Sequence, residues 1–511
     1  MTGVRFNRKF GQSAATMITV VVMGSAGVAT AGTDANAGSW KMIVLSGPTQ
    51  IAVPAPAAIT DAAYQAELAA IKSAQSNITG AQRQAVDYWN QGGVLGWNQI
   101  LLGLVSGADL PPEPNSDGTY PFPSATTPFA FPQYPFANPP YAARSYSYVA
   151  VATYEALKVA WYYKYLYNRP APYQADHTIQ ALSPASDLPG YPSEDGVVSA
   201  VNATLLKVLF PTQAALIDQK AAEQQQAAQI AGRASASDIA AGIALGQAVA
   251  AVFVARAGSD GMKNATGTPA QWDALAAAAT ARGEMPWKSL EIPARPPMLP
   301  FFGQVQAWMM APADIVNERP GPPPSTSSTQ MQQELAEVKS AVKNATRAQL
   351  ATSYKWADGA SSPTPPGHWD FIADGYIASA NFSEVRAARA LALLNMALHD
   401  AAVACWDTKY AYFNPRPTQL DASLRTQIAL PNFPSYESGH SVFSGAAAAV
   451  LSYLFPANAD YFAAQRDEAA LSRLYAGIHF RSDIEVGKDH GVRVGGYTIQ
   501  FAKNDGADGG Q

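Results

Sequence analysis

The stretch Phe433-Pro-Ser-Tyr-Glu-Ser-Gly-His-Ser-Val-Phe-Ser444 has a partner in the same chain, Leu188-Pro-Gly-Tyr-Pro-Ser-Glu-Asp-Gly-Val-Val-Ser199. Position 440 answers to position 195, an offset of 245 residues. Leu454-Phe455-Pro456 answers to Leu209-Phe210-Pro211 at that offset, and Ser482-Asp483-Ile484 to Ser237-Asp238-Ile239. Upstream, Trp406 and Lys409 answer to Trp161 and Lys164, and Arg416-Pro417 is read against Arg169-Pro170 across a two-residue gap. A run of matches at one spacing marks an internal repeat. Around these matches, apolar residues recur at helical spacing over 145–165, 197–209, 213–234 and 237–255, and again over 382–406, 441–454, 459–475 and 483–501. The same pattern predicts helices over 62–76 and 331–351, and strand alternation is scarce. The expected fold is all-α: two tandemly duplicated helix bundles, the second carrying the active site. The N-terminal bundle is placed at 40–285, a Pro-rich linker at 286–330, the C-terminal bundle at 331–503 and a disordered tail at 504–511.

Composition agrees with a globular helical enzyme. Of 511 residues, 48% are hydrophobic and 14% charged, with 34 Lys and Arg against 39 Asp and Glu. The resulting net charge of −5 leaves no basic stripe for nucleic acid, and the apolar content excludes a disordered acidic scaffold. One cysteine, Cys405, excludes an internal disulfide and a Cys-rich zinc site; it reads as a small buried hydrophobe. Residues 1–31 read as a signal peptide. Arg5, Arg8 and Lys9 precede an apolar core at 14–24, and Ala29-Thr30-Ala31 or Ala35-Asn36-Ala37 offers the cleavage site. The expectation is a periplasmic or secreted protein without a membrane span after cleavage. A second Pro-rich stretch, 111–140, carries Tyr120, Phe122, Phe129, Phe131, Tyr134 and Phe136 and reads as a loop packed on the surface.

The two copies differ where reactive side chains would sit. His440 faces Asp195, Arg473 faces Ala228, and His479 faces Ala234. Lys409, Arg416, Ser438, Gly439, His440, Arg473 and His479 therefore form a working set, complete only in the second copy. Three cations suit a tetrahedral oxyanion, because arginine engages two oxygens at once. Ser438-Gly439-His440 opens a predicted helix, whose first amides favour an anion. The two histidines divide the remaining chemistry: one attacks or coordinates the central atom, and the other carries protons. Asp483, four residues after His479, is placed to bond its second ring nitrogen and fix the tautomer.

These segments resemble the three motifs of the vanadium haloperoxidase and type-2 phosphatidic acid phosphatase superfamily. They are Lys409 with Arg416-Pro417, Pro434 to His440, and Ser472-Arg473 with His479 and Asp483. The length and repeat resemble a bacterial vanadium chloroperoxidase. The resemblance implies vanadate as cofactor, with phosphate competing at the same site. Lys409, Arg416, Arg473 and the amides of Ser438 and Gly439 would bind the equatorial oxygens. His479 would be the axial ligand to vanadium or the phosphohistidine nucleophile, and His440 the acid/base. Trp406 and Phe433 would form an apolar wall near the halide, with ordinary core packing as the competing reading. Glu437 departs from the family's proline and is expected to point to solvent.

Other titratable residues read as structural. His399-Asp400 is expected to be buried and hydrogen-bonded, His490 exposed, and His177 and His368 in loop-like contexts without partners at metal spacing. Asp370 or Asp400 is expected to pair with Arg473. The function implied is halide oxidation by hydrogen peroxide at a histidine-bound vanadate. A metal-independent acid phosphatase acting on a phosphoester is the alternative, and a non-catalytic oxyanion-binding protein is the third reading. The partners expected are small molecules, with no nucleic acid, and a homodimer is an allowed assembly.

Overall fold

Helices begin where the sequence offers a cap. In the computed structural model, which describes residues 34–507 apart from 112, 121–136 and 185, Asp61 accepts from the amide of Ala63 to open α1 (Ala62–Ser76). Thr79 and Gln82 form a reciprocal capping box that opens α2 (Gly80–Trp89), and α3 (Gly93–Ala108) follows. Then come α4 (Pro139–Tyr167), α5 (Pro172–Ala175), α6 (Glu194–Leu209), α7 (Ala214–Ile230), α8 (Ala236–Ala257), α9 (Pro269–Ala281) and α10 (Pro312–Glu318). Further on are α11 (Thr329–Lys343), α12 (Arg347–Lys355), α13 (Thr364–Ala380) and α14 (Glu384–Tyr412). The chain closes with α15 (Pro417–Leu420), α16 (Gly439–Leu454), α17 (Ala459–Tyr475) and α18 (Arg481–Ala502). The protein is all-α, with no strand among the described residues.

Five helices recur at one spacing. Their starts fall at 139 and 384, 172 and 417, 194 and 439, 214 and 459, and 236 and 481, each pair 245 residues apart. The register contains no gap. The counterpart of Arg416 is therefore Ala171 and that of Arg169 is Asn414, not the pairing expected from the Arg-Pro dipeptides. The two 29-residue helices, α4 and α14, pack on each other, and a single apolar core runs across both halves. Glycines bring α18 close to α16. A Cβ at Gly487 would lie 2.9 Å from the Ser441 Cβ and 3.0 Å from the Ser438 carbonyl. At Gly246 in the first half a Cβ would lie 2.6 Å from the Val197 carbonyl.

Several boundaries differ from expectation. The helix expected over 331–351 is two helices, because Thr346 and Gln349 form a capping box that starts α12. His368, expected in a loop, lies on α13, which opens with Pro365-Pro366-Gly367. These prolines fall in the first turn, where a missing N–H costs nothing. The tail is ordered as far as it is described. Asp505 accepts from Arg389 Nε at 2.7 Å and is buried, as Asp260 pairs with Arg144 at 2.7 Å in the first half. Residues 508–511, the leader 1–31, and Phe122, Phe129, Phe131, Tyr134 and Phe136 lie outside the described residues. The Pro-rich segment 286–330 crosses α14, where the amides of Trp308 and Met309 donate to Asp400 at 2.7 and 2.8 Å. Two helical stretches, Ala236–Asn264 and Glu384–Leu420, are long and apolar enough to cross a membrane by length and composition; the apolar central part of the second is wholly buried inside the protein.

Candidate active site

The ends of α14, α16, α17 and α18 bring the working set together. His479 precedes α18, and its Nδ1 lies 2.9 Å from Asp483 Oδ2. Asp483 also accepts from the Phe480 amide at 3.0 Å and from Ser435 Oγ at 2.5 Å. Burial raises its carboxyl to about 6. On the other side of the ring, His479 Nε2 lies 3.0 Å from Arg416 Nη1. Burial, with Arg416, Lys409, Arg473 and His440 around it, holds this imidazole well below its usual range. It is therefore neutral, with its proton on the nitrogen facing Asp483 and a lone pair on Nε2.

Arg416 donates from Nε to the Phe433 carbonyl at 2.9 Å and from Nη1 to Ile478 O at 2.8 Å. Its Nη2 is buried without a partner among the described residues. Arg473 is buried and donates to Ser472 Oγ at 2.9 Å and to the carbonyls of Ser353 and Trp356. Lys409 spends its donors on backbone, reaching the carbonyls of Pro434 at 2.8 Å, Ser435 at 3.0 Å and Glu437. An ammonium has three N–H groups, so Lys409 offers an anion its charge rather than a free donor, unlike the contact expected of it. The Ser438 amide is also taken, by Asp483 O at 3.0 Å, while the Ser438 hydroxyl caps α16. Gly439 opens that helix. A Cβ there would meet only Trp406 and Phe443, at 3.7 and 3.9 Å, so no neighbouring protein atom demands glycine.

His440 points the other way along the site. Its Nε2 lies 3.2 Å from Asp358 Oδ2, and burial, with Arg473, pushes it down to about 4. Asp358, absent from the sequence-derived set, is also the carboxylate that raises the Arg473 pKa against burial. Neither expected acid plays that part. Asp370 bonds Asn395 at 2.8 Å, and Asp400 holds the backbone at 308–309. His368 is no loop residue: it sits on α13, with Nδ1 2.9 Å from Asp358 Oδ1. Glu437 and His490 are likewise not exposed. Both are fully buried, with His490 Nδ1 2.5 Å from Glu437 Oε1, so the acid turns into the core because an imidazole 53 residues on receives it. Trp406 and Phe433 lie with ring centroids 5.1 Å apart and planes tilted by 51°, with the cations of Lys409 and Arg416 each 4.9 Å from the Phe433 ring. The Trp406 indole donates to Met298 O at 3.1 Å, as a core residue does. His399 is buried and bonds Gln306 O at 3.2 Å, and Cys405 is buried with its thiol pushed up by burial.

The model of the PAP2 superfamily matches residues 388–506, the stretch that supplies Lys409, Arg416, Ser438, Gly439, His440, Arg473, His479 and Asp483 but not Asp358 or His368. Residues 388–506 belong to the PAP2 superfamily. The chain is that of an enzyme carrying this PAP2 segment. The PAP2 segment sits in a larger fold shared with solved structures. A bacterial vanadium-dependent iodoperoxidase is 21% identical with a TM-score of 0.55, covering 71% of this chain and 91% of its own. The apo form of a bacterial vanadium-dependent chloroperoxidase is 13% identical with a TM-score of 0.51, covering 71% and 93%. No curated protein matches the chain in a sequence search.

Proposed function

We propose that this chain is a vanadate-dependent haloperoxidase-like enzyme that oxidises halide with hydrogen peroxide at a vanadate bound to His479. The observation that carries the proposal is the pairing of a neutral His479, its Nε2 lone pair facing the site, with the unpartnered Nη2 of Arg416 beside it. A buried guanidinium nitrogen without a partner is costly, and an oxyanion oxygen supplies that partner. The donor set therefore fits vanadate. Bound there, vanadate would supply Lewis-acid activation of peroxide towards halide. Arg416 and Arg473 hold the oxyanion, with Lys409 adding charge behind the Pro434–Glu437 turn. Asp483 keeps the His479 proton on Nδ1. His440, neutral at pH 7, takes and returns a proton at Nδ1, while Asp358 steadies the imidazolium. Trp406 and Phe433 exclude water on the apolar side.

The haloperoxidase reading over the phosphatase reading draws on the fold shared with the iodoperoxidase and chloroperoxidase structures over 71% of this chain. The phosphatase reading draws on the same neutral Nε2, which would attack phosphorus to form a phosphohistidine. The first half serves as scaffold, derived by tandem duplication, and residues 1–31 direct export to the periplasm or the medium. Paired assays on one purified sample test the function. Halide oxidation with added vanadate and peroxide, without aryl phosphate hydrolysis in their absence, is the expected result; the reverse pattern overturns it.

A further inference from the structure

Residues 356–358, between α12 and α13, touch two of the groups invoked above. The Trp356 carbonyl accepts from Arg473, and Asp358 faces His440. Asp358 has φ of +44°, a left-handed conformation that Asp tolerates better than most side chains. Its two oxygens are divided. Oδ2 lies 3.2 Å from His440 Nε2, and Oδ1 lies 2.9 Å from His368 Nδ1. The His368 ring lies flat on Trp356, with centroids 4.1 Å apart and planes at 15°. Trp356 is itself tied by its indole N–H to Glu468 Oε1 at 2.8 Å. A carboxylate on a short loop has little to stop it rotating about its last bond. Here one oxygen is gripped by an imidazole that is stacked in place.

We propose that His368 is a positioning residue, holding the Asp358 carboxylate so that Oδ2 addresses His440, which keeps the His440 proton on Nε2 and leaves Nδ1 to exchange protons in turnover. The inference rests on the reading of His440 as the proton carrier. In each turnover Nδ1 accepts one proton from the reacting group and gives one back, so Asp358 stays ionised and His368 neither gains nor loses a proton. This is the division of labour of a carboxylate that orients a catalytic imidazole, with the orienting group itself oriented.

Six histidines are few enough for each ring to be assigned by NMR in selectively labelled protein. The wild type is compared with His368→Leu, His368→Asn and Asp358→Asn. An asparagine amide N–H can stand where the imidazole Nδ1–H stands. The expected wild-type result is one His440 tautomer, protonated at Nε2. In His368→Leu the His440 signal becomes a mixture of tautomers. Its kcat falls at least tenfold with KM changed less than threefold, in whichever of the two assays the wild type is active. His368→Asn recovers most of both losses, and Asp358→Asn, which keeps the shape, loses the single tautomer. A single His440 tautomer in His368→Leu would overturn the proposal. So would a His368→Asn variant as impaired as His368→Leu, because the ring rather than its donor would then be required. If His440→Ala kept full turnover, the proton-carrier reading would fall, while the tautomer in His368→Leu would still report on positioning.

Discussion

The halves of this molecule place the same helices 245 residues apart and fill the space between them with opposite charge logic. In the second half, Gly439 and His440 open α16, and Arg416 beside them keeps Nη2 without a partner among the described residues. In the first half, the same positions are Glu194 and Asp195. Asp195 is paired with Arg233 at 3.1 Å, and Glu194 sits buried near Lys164 with its carboxyl raised by that burial. Asp238, the counterpart of Asp483, is neutralised directly by Arg169, whereas Asp483 spends its charge on His479. Lys164 reaches the Pro189 carbonyl at 2.6 Å as Lys409 reaches that of Pro434 at 2.8 Å. The lysine thus has one architectural duty in both halves. The difference is that one half brings its own carboxylates to its cations and the other leaves a cation for an external anion.

The largest expected effect follows from that contrast. His479→Ala should reduce turnover to background, and His440→Ala should cost on the order of 10²–10⁴-fold, the usual range for a lost general acid or base. Asp195→Asn should leave turnover within a few-fold. Comparable losses from His440→Ala and Asp195→Asn, measured as kcat/KM, would erase the distinction between the halves.

Next comes the buried pair Glu437–His490, whose first-half counterparts are Pro192 and Leu245. Removing one partner of a buried acid–imidazole pair leaves the other unsatisfied, so His490→Leu alone should lower unfolding free energy by about 3–5 kcal/mol. The double variant Glu437→Pro with His490→Leu restores the first-half pair and should regain most of that loss. Denaturant melts of the four corners of this cycle decide it; additive losses would show that the two residues are not a unit.

Arg473 gives a smaller effect. Arg473→Ala should lower turnover by about 10²–10³, as for a lost oxyanion donor, and weaken vanadate affinity. Arg233→Ala removes the partner of Asp195 and should touch thermal stability without changing turnover. A loss of turnover in Arg233→Ala would mean that the first half takes part in the chemistry.

The sequence revealed what the repeat could reveal. Lys409, His440 and Arg473 lie inside the repeated helices, and Arg416 and His479 lie just before two of them, so the first half served as their background. Asp358 and His368 precede α14 and lie outside the five recurring helices, so the repeat gave them no background. Glu437 misled for another reason. A carboxylate beside an anion site ought to turn outward, and it turns inward because of His490, a residue no local pattern connects to it. Lys409 was legible as a charge but not as a donor, since only the fold shows three carbonyls converging on its ammonium.

Acid should separate the halves by the smallest margin. His440 is pushed down to about 4 by burial and Arg473, and His479 is held well below its usual range by burial and the surrounding cations. An unfolded histidine titrates near 6.5. Between about 6.5 and 4 the unfolded segment therefore binds protons that the folded segment refuses, and stability is lost as pH falls. The His440 imidazole should cost on the order of 2 kcal/mol by pH 5, and His479 acts in the same direction. The first half has Asp195 and Ala234 at these positions, so openings of α6–α8 release no such proton sink. Hydrogen exchange, compared as protection factors at pH 7 and pH 5, should show α16–α18 losing protection relative to α6–α8. Added inorganic phosphate should restore it, because a bound dianion favours protonated imidazoles and lifts their folded pKa values. Parallel losses in both halves, unaffected by phosphate, would show that the histidines are not held neutral by a preformed cationic site.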